Sequence, residues 1–365
     1  METSRRDFLR AMGTSAVGLG IASALPAAAV QTDKPAPARR KMVIRADDIG
    51  QSKVCNIGTF EAIEHGVVTV AAVMLDSPGT EDALEHLKAF PWISVDWHMH
   101  MWGAPVADHK LVPSLLEKEP GQFAGRFRTD LAQAQDVNLK EAVTELRAQL
   151  LRCDRILGKV PDTGAAGNDR SPWGRAVHQV TEEFGLAYNF SGQSPTPDYY
   201  LKHIKDGQDR GEEWAKYYSS GPNKDSQPDP KWADRKITTL SGTAAFIDLL
   251  TDSISSVEKN YDPVLYYTED RFGILKTPMD CITWQAWHPG YVDYYVYRLG
   301  ERAYRARAQQ FVISRVQDAS AMCDVRLRSW IKQNYIELVN FRDALYGSDE
   351  YQNHLKAAGS DLAMI

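Results

Sequence analysis

The sequence predicts an α/β fold: a single (β/α) barrel domain carrying one long insertion. Three observations carry this expectation. Short apolar, β-branched runs alternate with segments of helical periodicity, the order of a mostly parallel sheet that is closed or nearly closed. Residues able to bind metals or move protons fall just past the ends of the apolar runs, the face on which such barrels build their sites. With 365 residues, 43% hydrophobic and 25% charged, the chain has an ordinary globular composition and enough length for one such barrel.

The first 29 residues read as an export signal. Ser4-Arg5-Arg6-Asp7-Phe8-Leu9 is a twin-arginine pattern, Ala11–Ala24 is mildly apolar, and Leu25-Pro26-Ala27-Ala28-Ala29 suits a signal peptidase. The apolar run is too short and too rich in Gly and Ala to span a bilayer, which takes about 20 apolar residues. Cleavage removes three Arg and two acids, so the net charge goes from −6 to −7. The expected location is periplasmic or secreted, without membrane attachment once the signal is removed. Residues 30–40 form a Pro/Ala linker to the barrel domain, 41–345.

Within the domain, Lys41–Ala46 is the first strand and Asp47-Asp48-Ile49-Gly50 has turn chemistry. A helix follows from Lys53 with Ile57, Phe60, Ala62 and Ile63 on its apolar side, ending at Gly66. Val67–Met74 is strand two. Thr80 is placed to cap a short helix carrying Leu84, Leu87 and Phe90, and Ile93–Trp97 is strand three, ending at His98. The clearest helix is Leu139–Leu157, with Asn138 and Glu141 in a capping-box pattern before it. Trp173–Phe184 is a helix stopped by Gly185, and Leu186–Phe190 a strand. Residues 191–236, polar and rich in Gly, Pro, Asp and Lys, read as an inserted lid or binding loop. Thr243–Val257 is expected to be helical, Val264–Tyr267 and Cys281–Trp287 to be strands, and Leu299–Ala319 and Leu327–Ile331 to be helical. Residues 346–365 form a C-terminal tail that packs on the barrel or mediates self-association into a homo-oligomer.

Asp and Glu outnumber Lys and Arg by 48 to 42 and no basic stripe occurs, which argues against a nucleic-acid partner. The 9 Trp, 16 Tyr and 11 Phe are numerous enough to build surfaces that stack on sugar rings. Cys55, Cys153, Cys281 and Cys323 are far apart, without the spacing of a structural zinc cluster, and are expected to be four buried thiols.

Three groups carry possible chemistry. Asp47 and Asp48, adjacent at a strand end, fit either a metal ligand beside a free base or an Asx turn capping the next helix. His98 and His100 either share a metal from one side of a continuing strand or divide into one buried and one surface residue. His288, with Pro289 and Gly290 fixing its backbone, is either a site residue or a hydrogen-bonded core histidine. The other six histidines, His65, His86, His109, His178, His203 and His354, read as surface residues. An Asp, a His and one further ligand around an open position make a hydrolytic metal site, with a second carboxylate and an opposed histidine to move protons.

In this order the motifs resemble one family. Ala46-Asp47-Asp48-Ile49-Gly50, then Asn56-Ile57-Gly58, then Glu61-Ala62-Ile63-Glu64-His65-Gly66-Val67 is similar to the opening of the YdjC-like carbohydrate deacetylases. Val95-Asp96-Trp97-His98 stands where that family has G-L-H, and Trp287-His288-Pro289-Gly290-Tyr291-Val292-Asp293 matches its late H-P-G-Y-x-D motif. The resemblance spans about residues 41–342. It implies a distorted (β/α) barrel that uses one divalent metal, Zn2+ or Mg2+, to remove N-acetyl groups from amino sugars or oligosaccharides. It further implies Asp48 and His98 as ligands, Asp47 as the base or the group that orients water, and His288 as the acid or transition-state stabiliser. The family's third ligand is a histidine, and the corresponding stretch, Val160 to Arg170, contains none. Asp162 is the preferred substitute because it follows Val160-Pro161 at a strand end; Asn168, Asp169 and His100 are the others. Trp97, Trp102, Trp287 and Tyr291 are the expected substrate-stacking residues, although at least one of Trp284 and Trp287 is expected to be core. The missing histidine leaves two other readings open, a catalytically silent carbohydrate-binding relative and a metal-dependent barrel enzyme acting on another sugar bond.

Overall fold

The structure, a computed structural model, describes residues 38–101, 103–118, 121, 124–193, 228–240, 261–304 and 308–364. The expected signal peptide, the helix at Thr243–Val257, most of the 191–236 insertion, His203 and Trp102 lie outside the described residues. Among the described residues no helix is long and apolar enough to cross a membrane.

Among the described residues, seven parallel strands form one sheet: β1 (Lys41–Ile49), β2 (Val70–Val73), β3 (Ser94–Trp97), β4 (Gly192–Gln193), β5 (Ile237–Thr239), β6 (Ile282–Trp287) and β7 (Glu337–Leu338). The order is β3-β2-β1-β6-β5-β4, with β7 pairing the start of β1. The remaining arc is thin. Single parallel bridges join Asp96 to Thr163 and Thr163 to Ala187, and the segment after Ala187 leads into β4. The α/β expectation therefore holds, and strand pairing among the described residues does not close the sheet into a regular barrel.

Alternation along the strands sorts the side chains. Met42, Ile44 and Ala46 of β1 belong to the large outer core with Ala71, Val73, Val95, Trp97 and Trp287, beneath the helices. Val43, Val70, Ile237 and Ile282 form a separate inner cluster with Phe341 and Leu345. That inner plug sits at the N-terminal ends of the strands, so the polar residues further along the inward face meet at the C-terminal ends. Helix Phe341–Tyr346 closes the plug, with Phe341 packed edge-on to Phe190 and Trp284. The residues read as a tail continue this closure: helix Glu350–Ala357 buries Tyr351 and Leu355, and Tyr351 donates to the Val68 carbonyl.

The helices form where their caps put them. Leu139–Leu157 has the bounds the sequence predicts, between an Asn138 side chain accepting from Lys140 N and Gly158 at φ 84°. Glu141 does not complete a capping box, because its carboxylate accepts from Ser114 N instead. Helix Lys53–Glu64 starts at Ser52, whose side chain accepts from Cys55 N. The short helix Thr80–Leu87 has Gly79, not Thr80, at its N-cap; the Thr80 hydroxyl donates to the Met74 carbonyl at 2.7 Å and ties the helix to the end of β2.

Two expected strands differ. Val264–Tyr267 is replaced by helix Leu265–Thr268, begun by Asp262-Pro263: the Asp262 side chain accepts from Val264 N, and proline has no N–H to lose at a helix start. In Leu186–Phe190 only Ala187 pairs, and Asn189 at φ 48° breaks the extended run. The cysteines are free; Cys55, Cys153 and Cys281 are buried as expected, whereas Cys323 is exposed.

Candidate active site

Asp47 and Asp48 lie inside β1, just before its last residue, and not in a turn. Alternation alone would send neighbouring side chains to opposite faces of the strand. A register irregularity between Ala46 and Ile49, with Asp48 at φ 64°, re-aims Asp48 so that both carboxylates reach the C-terminal face. Asn56 of the next helix accepts from Gly50 N at 2.7 Å and secures the turn behind them.

Asp48 is 2% exposed and stands between two kinds of partner. Arg315, from helix Ala308–Met322, donates to Oδ2. His98 Nε2 lies 2.9 Å from Oδ1 and His100 Nε2 3.9 Å from the same oxygen. Burial opposes charge on Asp48, but Arg315 and the two imidazoles outweigh it and hold the carboxyl well below its ordinary value. Asp47 is clamped by Arg45, whose Nε donates to Oδ1 at 2.6 Å and Nη2 to Oδ2 at 2.8 Å. The same guanidinium donates to Asp96 Oδ2 at 2.9 Å and lies over the Trp284 ring. Asp47 too resists its burial and stays below its ordinary value, through Arg45, His98 and His288.

The three histidines differ in their surroundings. Burial pulls His98 down, but Asp47 and Asp48 raise it above its ordinary value. Burial, and then the charge of His98, drive His100 down to about 4. Burial also lowers His288, against the pull of Asp48 and Asp47. The His288 backbone N–H donates to Asp318 Oδ2 at 3.0 Å, while Tyr261 donates to Oδ1 at 2.8 Å. Asp318 is itself pushed up to about 7 by burial. The loop after His288 is seated on helix Lys53–Glu64: Thr59 donates to the Pro289 carbonyl, and a Cβ on Gly290 would stand 2.4 Å from Cys55 Sγ.

Asp48, His98 and His100 each offer one ligand atom, and these atoms lie within 4.8 Å of one another. Two ligands about 2.1 Å from one ion stand at most about 4.2 Å apart, so a small closing of side chains puts all three donors on one ion. Arg315 occupies one Asp48 oxygen and leaves the other facing the imidazoles. The donor set, one carboxylate and two imidazoles, suits a divalent metal such as Zn2+ with open positions. Among the described residues no second group of this kind occurs.

The family model described as YdjC-like protein matches residues 41–333 of this chain, from the first strand of the sheet to the helix beyond Arg315. The chain belongs to the YdjC-like family. A carbohydrate deacetylase of Brevibacillus brevis is 39% identical over 113 residues, 31% of this chain and 43% of that protein. A chitooligosaccharide deacetylase of Proteus mirabilis is 27% identical over 157 residues, 43% of this chain and 57% of that one. The chain thus spans about half the length of the first curated relatives it matches. A carbohydrate deacetylase of Clostridium beijerinckii is matched over 99% of its length, and 83% of this chain, at 23% identity. Among solved structures, an Enterococcus faecalis protein provisionally named for cellobiose-phosphate cleavage shares the fold, with a TM-score of 0.53 and 16% identity over 84% of this chain and 98% of that one.

Several residues expected at the site of this YdjC-like chain lie elsewhere. Asp162 is not beside Asp48 and His98. Its carboxylate accepts from Val95 N, at the start of β3, and from Lys159 and Arg342, so it locks the opposite end of the strand. Asp169 and Asn168 are exposed, and neither belongs to the ligand group. Of the four candidates, His100 is the one that stands there. Trp97 and Trp287 are 2% and 1% exposed and cannot stack on a sugar. Each immediately precedes a site histidine, so alternation turns it to the outer face: Trp97 donates to Gln149 and Trp287 to Tyr267. The Tyr291 hydroxyl is drawn outward to Glu61. Sequence reasoning assigned no role to Arg45, although Arg45 and Asp47, two apart on one strand, share a face. Arg315 and Asp318 carry no local signal, because their partners are 267 and 30 residues away.

Proposed function

We propose that this chain is an exported, metal-dependent hydrolase that removes N-acetyl groups from amino sugars or oligosaccharides. The observation that carries the reading is the convergence, in a YdjC-like chain, of Asp48, His98 and His100 with a clamped carboxylate, Asp47, and a half-buried imidazole, His288. Relatives named as carbohydrate and chitooligosaccharide deacetylases support the substrate class. Asp48, His98 and His100 would hold the metal, which when bound supplies Lewis acidity toward water and an acetamide carbonyl.

The chain's own groups manage the protons. Arg45 keeps Asp47 charged, so its carboxylate accepts the proton of the attacking water. The charge of Asp47 acts on His288, which favours a protonated ring opposite the base, and the proton taken by Asp47 is returned to solvent. His288, protonated from solvent, delivers a proton to the departing nitrogen as the C–N bond breaks, releasing acetate and the free amine. Asp318 holds the His288 backbone in place for this.

The silent carbohydrate-binding reading rested on the missing histidine, and His100 answers it. His100 stands beside Asp48 and His98 where a third donor is needed. The test is acetate release from N-acetylated chito-oligosaccharides by the metal-loaded mature protein. Asp47→Asn should keep its metal and lose about 10²–10⁴-fold in turnover. Full activity in that variant would exclude Asp47 as the base, and no acetate from the wild type would sink deacetylation itself.

A further inference from the structure

We propose that Glu145 and Gln149, two buried residues of helix Leu139–Leu157, are positioning residues for the metal centre: they bracket the segment that carries His98 and His100 and so set how tightly Asp48, His98 and His100 hold one ion. The metal itself belongs to the reading above, on which this inference rests.

The segment depends on support from outside. Among the described residues, no helix or strand lies between Trp97, the last residue of β3, and the one-turn helix His109–Leu111. Two of the three donor groups therefore ride on irregular backbone, whose place is set by its tethers. The tolerance is small. Donor atoms that lie within 4.8 Å of one another must close to about 4.2 Å to share an ion. A working site has to be held to within about 0.5 Å of its geometry.

The helix tethers the segment at both ends. Ahead of His98, Trp97 Nε1 donates to Gln149 Oε1 at 3.2 Å. Beyond His100, Val106 N donates to Glu145 Oε1 at 3.1 Å and Ala107 N to Oε2 at 2.9 Å. Gln149 Nε2 donates to Glu145 Oε1 at 2.8 Å and joins the two tethers. Residues four apart stand one above the other on a helix face, so the pair acts as one bracket. From the other side, the Val73 carbonyl accepts from His98 N, and Asp76 accepts from Gly103 N and Ala104 N. The segment is thus clamped between the end of β2 and the helix.

The relay has a direction. An indole only donates, so Gln149 turns its oxygen to Trp97 and its amide N–H2 to Glu145. The Gln149 amide and the two backbone N–H groups are all donors, and one carboxylate accepts from all three. Packing does not account for these residues. Their helix neighbours Ala142, Leu146, Leu150 and Cys153 are apolar core, and an apolar pair would fill the same space at a lower desolvation cost. What an apolar pair could not do is fix the backbone on both sides of the ligand histidines.

The test uses Co2+ as the probe, because its visible d–d bands respond to the number and arrangement of ligands. Metal-free mature protein is titrated with Co2+ against a competing chelator at about pH 8, where Glu145, raised to about 7 by burial, is ionised. Glu145→Gln would turn an N–H2 group toward the backbone donors. It should weaken Co2+ binding about tenfold or more, as removal of groups that hold metal ligands in place does, and change the d–d spectrum at saturation. Asp162→Asn is the control: it loosens the opposite end of the same strand, at Val95 N, and should keep the affinity and spectrum of the wild type. Gln149→Met, of similar length but without either hydrogen bond, carries the same expectation as Glu145→Gln if that variant does not fold. Wild-type affinity and spectrum in the bracket variants, or an equal loss in Asp162→Asn, would overturn the positioning role while leaving the metal centre in place. A wild type that takes up no Co2+ would sink the metal centre and this inference with it, and acetate release by the wild type tests deacetylation separately.

Discussion

Replacing Arg45 with Met should cost about 3–5 kcal/mol of folding stability at pH 7, the range for removing one partner of a buried ion pair. The structure shows why the upper range applies rather than the surface value of about 0–1 kcal/mol. Arg45 makes two hydrogen bonds to Asp47 and one to Asp96, at 2.6, 2.8 and 2.9 Å. Those carboxylates are 4% and 5% exposed, so water cannot replace the lost donors. Arg45→Lys should rescue only partly, because an ammonium cannot span both acids in the plane of a guanidinium fork. The assay is urea unfolding of the mature protein at pH 7 and at lower pH. Asp47 has a depressed value in the folded state, so its stabilising contribution is present above its unfolded value and is lost as pH falls through the folded one. The gap between wild type and Arg45→Met should therefore narrow on acidification. Adding Asp47→Asn and Asp96→Asn to the variant should recover most of the loss, since no buried charge is then left unpaired. A loss under about 1 kcal/mol, or a gap that stays constant with pH, would refute the view of Arg45 as a desolvated clamp.

Other outcomes follow from the same geometry. His100→Ala should lower bound divalent metal well below one per chain by elemental analysis, while Asp162→Asn should keep its metal and lose about 1–3 kcal/mol of stability from the Val95, Lys159 and Arg342 contacts. Burial raises Glu145 and Asp318 to about 7 and Asp76 to about 6. Between their ordinary and raised values the folded state binds more protons than the unfolded, so these three groups should lower stability as pH rises from about 5 to about 7, opposed in part by the lowered His100 and His288. Relative to wild type, Glu145→Gln should gain in urea midpoint as pH rises across the interval, and a difference that stays constant with pH would contradict it. A Cβ on Gly58 would stand 2.8 Å from Gly290 C and Tyr291 N, so Gly58→Ala should push the His288 loop off its helix. The expected result is a loss of about 1–3 kcal/mol together with a fall in kcat, and unchanged turnover would show that the loop tolerates the shift.

The sequence alone was enough to place the β-α alternation, helix Leu139–Leu157 and four residues that meet at the candidate site, Asp47, Asp48, His98 and His288. Those features rest on local rules: periodicity, caps, and the tendency of polar residues to collect where parallel strands end. Local rules also misled. Trp97 and Trp287 adjoin site histidines in the chain, but a strand turns neighbours to opposite faces, so nearness in sequence placed them in the core. Asp47 and Asp48 should have diverged by that same rule, and only the irregular backbone at Asp48 brings both to one face. Asp162 was plausible as a ligand until the fold put it at the wrong end of β3, and His100 took its place because the chain beyond Trp97 stays close to Asp48. Arg315 and Asp318 were out of reach altogether. The charge on Asp48 and the seat of His288 depend on a helix that packs against them from far along the chain, and such a pairing exists only once the sheet has gathered its strand ends.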